Sequence, residues 1–172
     1  MERFARAVAA LSRASGVIGI ALILVALVVI CHMIFVRFVL GQSSIWQTEF
    51  VIFALIGSTF LGAPYVLLTR GHVNVDLVPL HVGDGARRVL ALLAAAGGAV
   101  FALLVIWSSL DWWWEAWRFD FRTASMWRAP LWIPYASLPV GMALVLLQCI
   151  AEGWAVWTGR ERPFGLPPRD GA

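Results

Sequence analysis

Four long apolar runs constrain this chain more than any other feature. They lie at about residues 17–38, 50–68, 89–110 and 132–154. A helix needs about 20 mostly apolar residues to cross the hydrocarbon core of a bilayer. With no water there, backbone N–H and C=O groups must pair within a helix or a closed barrel. Barrel strands alternate apolar and polar residues, and these runs do not alternate. The composition agrees: 61% of residues are hydrophobic and 13% charged, against about 25% charged in a soluble domain. A soluble core of this size could not hide that much apolar surface. The expectation is an all-α membrane protein, one domain over 1–172, with four transmembrane helices and short interfacial amphipathic segments.

The first run follows Arg3, Arg6 and Arg13, as a secretory signal would. But Val17 to Leu40 outlasts the roughly 7–15 apolar residues of a signal, and no A-x-A-like site follows it. It is expected to be retained as a helix. His32 and Arg37 interrupt its later part.

Four spans put both termini on one side. That side would hold nine arginines (Arg3, Arg6, Arg13, Arg70, Arg87, Arg88, Arg160, Arg162 and Arg169), the other four (Arg37, Arg118, Arg122 and Arg128). Positive residues are retained in the cytoplasm, so the expected orientation is N-in, C-in. No basic run of nucleic-acid type occurs, and no nucleic-acid partner is expected. Cys31 and Cys149 lie far apart inside apolar runs and read as free thiols.

The segment expected outside carries Trp107, Trp112, Trp113, Trp114, Trp117, Trp127 and Trp132. Trp rings favour the headgroup level, where the N–H can be satisfied. Mixed with Asp111, Glu115, Arg118, Asp120 and Arg122, they read as a helix end or a short interfacial helix. The segment serves as an aromatic belt, as a docking platform for a protein partner, or as both. Small residues recur inside the runs: Gly57, Ser58 and Gly62 in the second, Ala94 and Gly98 in the third. They let helices approach closely in lipid. Pro64 predicts a kink, and Pro130, Pro134 and Pro139 suit the first turn of the fourth helix.

Chemistry is sparse. Arg37 and Glu49 flank a short connection and are expected to pair. His32 is the only histidine within a run, so bis-His haem ligation and a metal cluster are not expected. GxSxG and GxxxxGK[ST] are absent, and no Cys–His pair is plausible as a nucleophile and base. Neither a cofactor nor an enzymatic activity is expected. In the inner connection, "TRGHVNVDLVPL", Arg70 marks the cytoplasmic face and Gly71 permits a turn. His72 and Asp76 are spaced to meet on one face of an amphipathic elbow.

These motifs together resemble a known family. Arg37 in "FVRF" ends the first span, and Trp46-x-x-Glu49 opens the second. A phenylalanine-rich run follows, with a Leu-Gly-Ala step at Leu61, Gly62 and Ala63. Arg70-Gly71-His72-x-x-x-Asp76 comes next. The chain is similar to the small, DctQ-type membrane subunit of TRAP (tripartite ATP-independent periplasmic) transporters. It departs in having Thr48 where family members often carry a second acid.

The resemblance implies a scaffold in the bacterial inner membrane. Its partners would be a large membrane subunit, which holds the substrate and sodium sites, and a periplasmic substrate-binding protein, with the lipid bilayer around them. The transported substrate would be an organic acid. Arg37, Trp46, Glu49, Gly62, Arg70, Gly71, His72 and Asp76 would be structural or subunit-interface residues. Two other readings of four bland helices remain: a membrane redox protein holding haem or quinone, and a small stand-alone transporter.

Overall fold

A computed structural model describes residues 2–69 and 83–159. Four helices make up nearly all of them: α1 (Glu2–Phe38), α2 (Gln47–Leu68), α3 (Asp84–Arg118) and α4 (Trp132–Trp157). Each contains one of the apolar runs, and all four are long and apolar enough to cross a membrane. The expected all-α architecture is therefore what the chain adopts. Two helices outrun their apolar stretch. At 37 and 35 residues, α1 and α3 are about 50–55 Å long at 1.5 Å per residue, against a hydrocarbon core of about 30 Å.

The helices form two antiparallel hairpins, α1–α2 and α3–α4, and α4 also packs against α2 and α1. The contact face of α1 repeats with helical spacing. Val8, Ser12, Ser15, Gly19 and Ala26 are buried, while Arg3, Arg6 and Arg13 are exposed. Ala26, Val51 and Ala54 form a small core, closed by Leu22, Val29, Ile30 and Phe50. These are small side chains, as expected where lipid removes the hydrophobic drive between helices and backbones must approach closely to gain dispersion contacts.

Glycine sets the closest approaches of one backbone to another. A Cβ on Gly19 would lie 3.1 Å from the Ser58 carbonyl oxygen and 3.4 Å from Gly62 Cα. Gly62 therefore serves the α1–α2 crossing as the small partner of Gly19. A Cβ on Gly141 would lie 2.2 Å from the Phe60 carbonyl oxygen, so α2 and α4 touch backbone to backbone there. Gly98 of α3 faces the Cys149 thiol of α4.

Prolines behave differently from expectation in one place. Pro130 precedes α4 and Pro134 lies in its first turn, but Pro139 sits in the helix interior. α2 also continues through Pro64, which is fully buried. Helix-breaking residues are tolerated in membrane helices because neighbouring helices and local hydrogen bonds satisfy the freed carbonyls.

The connections at one end are ordered. Gly41, at φ +61°, turns the chain so that the Gln42 N–H donates to the Val36 carbonyl at 3.2 Å. Phe119 to Leu131 form a small hairpin-like loop. In it Thr123 N–H donates to the Ala129 carbonyl at 3.0 Å and Leu131 N–H to the Phe121 carbonyl at 2.9 Å. Asp120 and Arg128 take left-handed backbone there, at φ +46° and +50°. Residues 70–82, which carry the expected elbow, lie outside the described residues.

The α2–α4 contact makes a sharp prediction. Gly141→Ala forces the Phe60 backbone away and should lower stability by about 2 kcal/mol or more, as overpacking does. Gly97→Ala meets open space and should be neutral or slightly stabilising. Thermal unfolding in detergent compares them; equal effects would contradict this helix crossing.

Candidate functional site

Two places in the bundle concentrate polar or aromatic groups. The first is the aromatic end, where α1 meets α2 and α3 meets α4. The structure splits its rings into two groups. Trp46 packs on Phe50 (ring centroids 6.0 Å apart), on Trp127 (6.3 Å) and on His32 (6.5 Å). Trp127 also reaches Phe53 at 6.3 Å, so the 119–131 loop folds back over the start of α2. On the other side Trp113 lies against Trp114 and stacks on Trp117, and Trp117 meets Trp132 edge-on at 4.8 Å. Trp107 and Trp112 project outward, 79% and 70% exposed. Residues 111–118 continue α3 to its end and do not form a separate interfacial helix.

The expected ion pair between Arg37 and Glu49 is not formed. Arg37 is exposed in the last turn of α1. Glu49 lies in the first turn of α2, with its Oε2 buried and without a hydrogen-bond partner. Short separation along the chain did not bring the two together, because the turn at Gly41 and residues 42–46 intervene. Arg122 pairs instead with Asp120, 2.8 Å away across two residues. Arg118 lies over the Phe119 ring, 5.7 Å from its centroid, and no ion pair joins it to Glu115. Among the described residues, no group of three His, Cys, Asp or Glu is placed to hold a metal ion.

The second place is a polar chain near the opposite end, running through Ser12, Ser15, Gln148 and Glu152. Ser12 Oγ donates to Gln148 Oε1 at 3.3 Å, and Gln148 Nε2 donates to Glu152 Oε1 at 3.2 Å. Ser15 Oγ donates to the Ser12 carbonyl at 3.0 Å. Ser12, Ser15 and Gln148 are all buried. The chain ties the start of α1 to α4 across a long sequence separation. A single polar Gln inside an apolar run was the available signal. Arg88 donates to the Trp157 carbonyl, anchoring the start of α3 to the end of α4.

Between α2, α3 and α4 lies a cleft of about 410 Å³ lined by Ile56, Phe60, Trp112, Pro134, Tyr135 and Leu138, with Ser108 and Ser109. Both serine hydroxyls donate to carbonyls of their own helix, Leu104 and Ile106 among them. The cleft is therefore a largely apolar surface, with neither a nucleophile and base nor an acid pair. Of the other expected residues, Arg70, Gly71, His72 and Asp76 lie outside the described residues.

Cutting the polar chain should be measurable. Gln148→Leu leaves the Ser12 hydroxyl without its acceptor and should cost about 0.5–1.5 kcal/mol, the range of interhelical hydrogen bonds in membranes. Ser12→Ala combined with it should add little more. Additive losses in a double-mutant cycle of detergent stability would show that the two side chains act separately.

Comparison with known proteins supplies the context for this arrangement. Two relatives carry the same description, C4-dicarboxylate TRAP transporter small permease protein DctQ. The one from Vibrio cholerae is 24% identical over 153 residues, covering 74% of this chain and 64% of its own length. The one from Rhodobacter capsulatus is 22% identical over 130 residues, covering 76% of this chain and 55% of its own. The chain thus spans less than two thirds of either relative. No solved structure matches it. The family model for tripartite ATP-independent periplasmic transporters, DctQ component, matches residues 26–159, and on that match the chain is a multi-pass bacterial membrane protein that belongs to the DctQ family, a transporter component and not an enzyme.

Proposed function

We propose that this chain is the small scaffold subunit of a sodium-coupled, binding-protein-dependent TRAP transporter in the bacterial inner membrane. It braces a large transport subunit, and its aromatic end, facing the periplasm, helps dock the substrate-binding protein. The imported substrate is an organic acid; the relatives' names make a C4-dicarboxylate the first to try.

The observation that carries the reading is how little these helices bury in one another. α3 has α4 as its substantial neighbour, and only 6% of its most apolar stretch is buried. Such a helix presents nearly its whole circumference to lipid or to another subunit. The buried Ser12, Ser15 and Gln148 act in helix packing. A brace that holds a moving transport domain needs such outward faces and a rigid interior.

Uptake in proteoliposomes tests the function. A sodium gradient should drive organic-acid uptake when this chain, the large subunit and the binding protein are all present, and not when this chain is left out. Uptake by this chain alone would overturn the scaffold reading. Orientation follows the nine-to-four division of arginines. With the native cysteines removed, a membrane-impermeant thiol reagent added from the periplasm should label Ser44→Cys and not Gly83→Cys; the reverse pattern would invert the topology.

The inner elbow is assigned a holding role. Replacing His72 and Asp76 by Ala should reduce assembled complex and maximal uptake. The half-saturating substrate concentration per assembled complex should stay unchanged, and a large rise in it would place the elbow in contact with the substrate site.

A further inference from the structure

Gln47 and Glu49 stand out among the side chains of the aromatic end. Gln47 is 5% exposed, yet its Oε1 has no hydrogen-bond donor, and Glu49 Oε2 is likewise buried and unpartnered. Buried polar atoms are nearly always paired, because an unpaired one forfeits its hydration and gains nothing. Gln47 points inward with Val51, Ala54 and Ser58, whereas Glu49, two positions on, points to another side of the helix and calls for a donor that the described residues do not supply. Arg37 is exposed and does not reach it. The free N–H groups at the start of α2 favour a negative charge there, but they leave Glu49 Oε2 unbonded.

The surroundings specify the donor. Trp46, Glu49, Phe50 and Phe53 fall at helical spacing on one face of α2. Trp46 and Phe53 on that face both pack against Trp127 of the folded-back loop. A carboxylate beside aromatic rings is the anatomy that receives a cation, since ring faces attract positive charge as the carboxylate binds its N–H groups. A metal ion is disfavoured, because among the described residues no set of three His, Cys, Asp or Glu converges.

We propose that the start of α2 is a socket for an Arg or Lys side chain of the partner membrane subunit, with Glu49 as acceptor and Trp46 and Trp127 as its walls. This rests on the scaffold reading above. A side chain tethered in a large interface is favoured over a lipid amine headgroup. Glu49 Oε2 is closed to water, and opening it requires the binding energy of an extended contact.

The test uses the full chain co-expressed with the large membrane subunit and purified through a tag on the latter. Glu49→Gln keeps the shape and removes the charge, so recovered complex should fall at least about tenfold, as when a buried charge pair loses one partner. Glu49→Asp should retain most of it. The unfolding temperature of the isolated chain in detergent should be little changed by Glu49→Gln, because no partner among the described residues is lost. Full recovery of the Glu49→Gln complex would overturn the socket. A matching fall in isolated-chain stability would overturn it too, by making Glu49 a residue of the chain's own packing. An equal, non-additive loss in Arg37→Gln would name Arg37 as the cation and exclude the partner. Intact assembly with loss of a co-purifying aminophospholipid in native mass spectrometry would assign the socket to lipid. If the wild-type chain fails to co-purify, the scaffold reading itself falls, an outcome distinct from failure at Glu49 alone.

Discussion

The contact between the Gly141 face of α4 and the Phe60 carbonyl of α2 joins two hairpins into one bundle. In water, burial of apolar side chains would hold helices together at a wide range of separations. In lipid that force is absent, and attraction depends on backbones coming close enough for dense van der Waals contact. Only glycine leaves room for the 2.2 Å separation between a Cβ position and the Phe60 oxygen. Around this point α4 becomes the hub, touching α1 through Ser12 and Gln148 and α3 through Cys149 and Trp132.

The bundle is consequently tied at three levels by different physics. Near one end a buried polar chain from Ser12 through Gln148 to Glu152 sets the register of α1 on α4. In the middle, small residues allow close packing. At the other end aromatic rings from the two connections and the neighbouring helix ends interlock, with Trp127 returning onto Trp46 and Phe53. A brace with ties at both ends and the centre resists shear and tilt better than one with a single contact. The scaffold role proposed above would call for that property. The faces left over are apolar and unpaired, most of all on α3, which fits a protein that completes its packing with another subunit.

Much of this was readable in the sequence, because each feature depends on one local property. Length and hydropathy of the four runs sufficed for four helices, since the bilayer requires only that a helix be long and apolar. The motif from Trp46 to Asp76 sufficed for the DctQ resemblance, which the match over residues 26–159 bears out. Gly98 was legible as a packing residue from its small neighbours. The pairing of Arg37 with Glu49 was misjudged because adjacency along a connection says nothing about which way a turn aims two side chains. Of the two readings of residues 111–118, the helix end is the one the chain adopts, since α3 remains helical past the end of its apolar stretch.

What the sequence determined by itself is the kind of molecule: an all-helical chain whose solvent is lipid. Those properties are sums over residues and need no knowledge of neighbours. Tertiary structure alone decided the partners of individual atoms. It brought Ser12 to Gln148 across 136 positions, set Gly141 rather than Gly62 at the tightest crossing, laid Trp127 over α2, and left Glu49 and Gln47 without donors. Each of these depends on helix rotation and register, where a shift of one residue turns a side chain by about 100°. No local pattern in a nearly uniform apolar sequence carries that angle; it emerges only when four helices find the one packing that fits their small residues together.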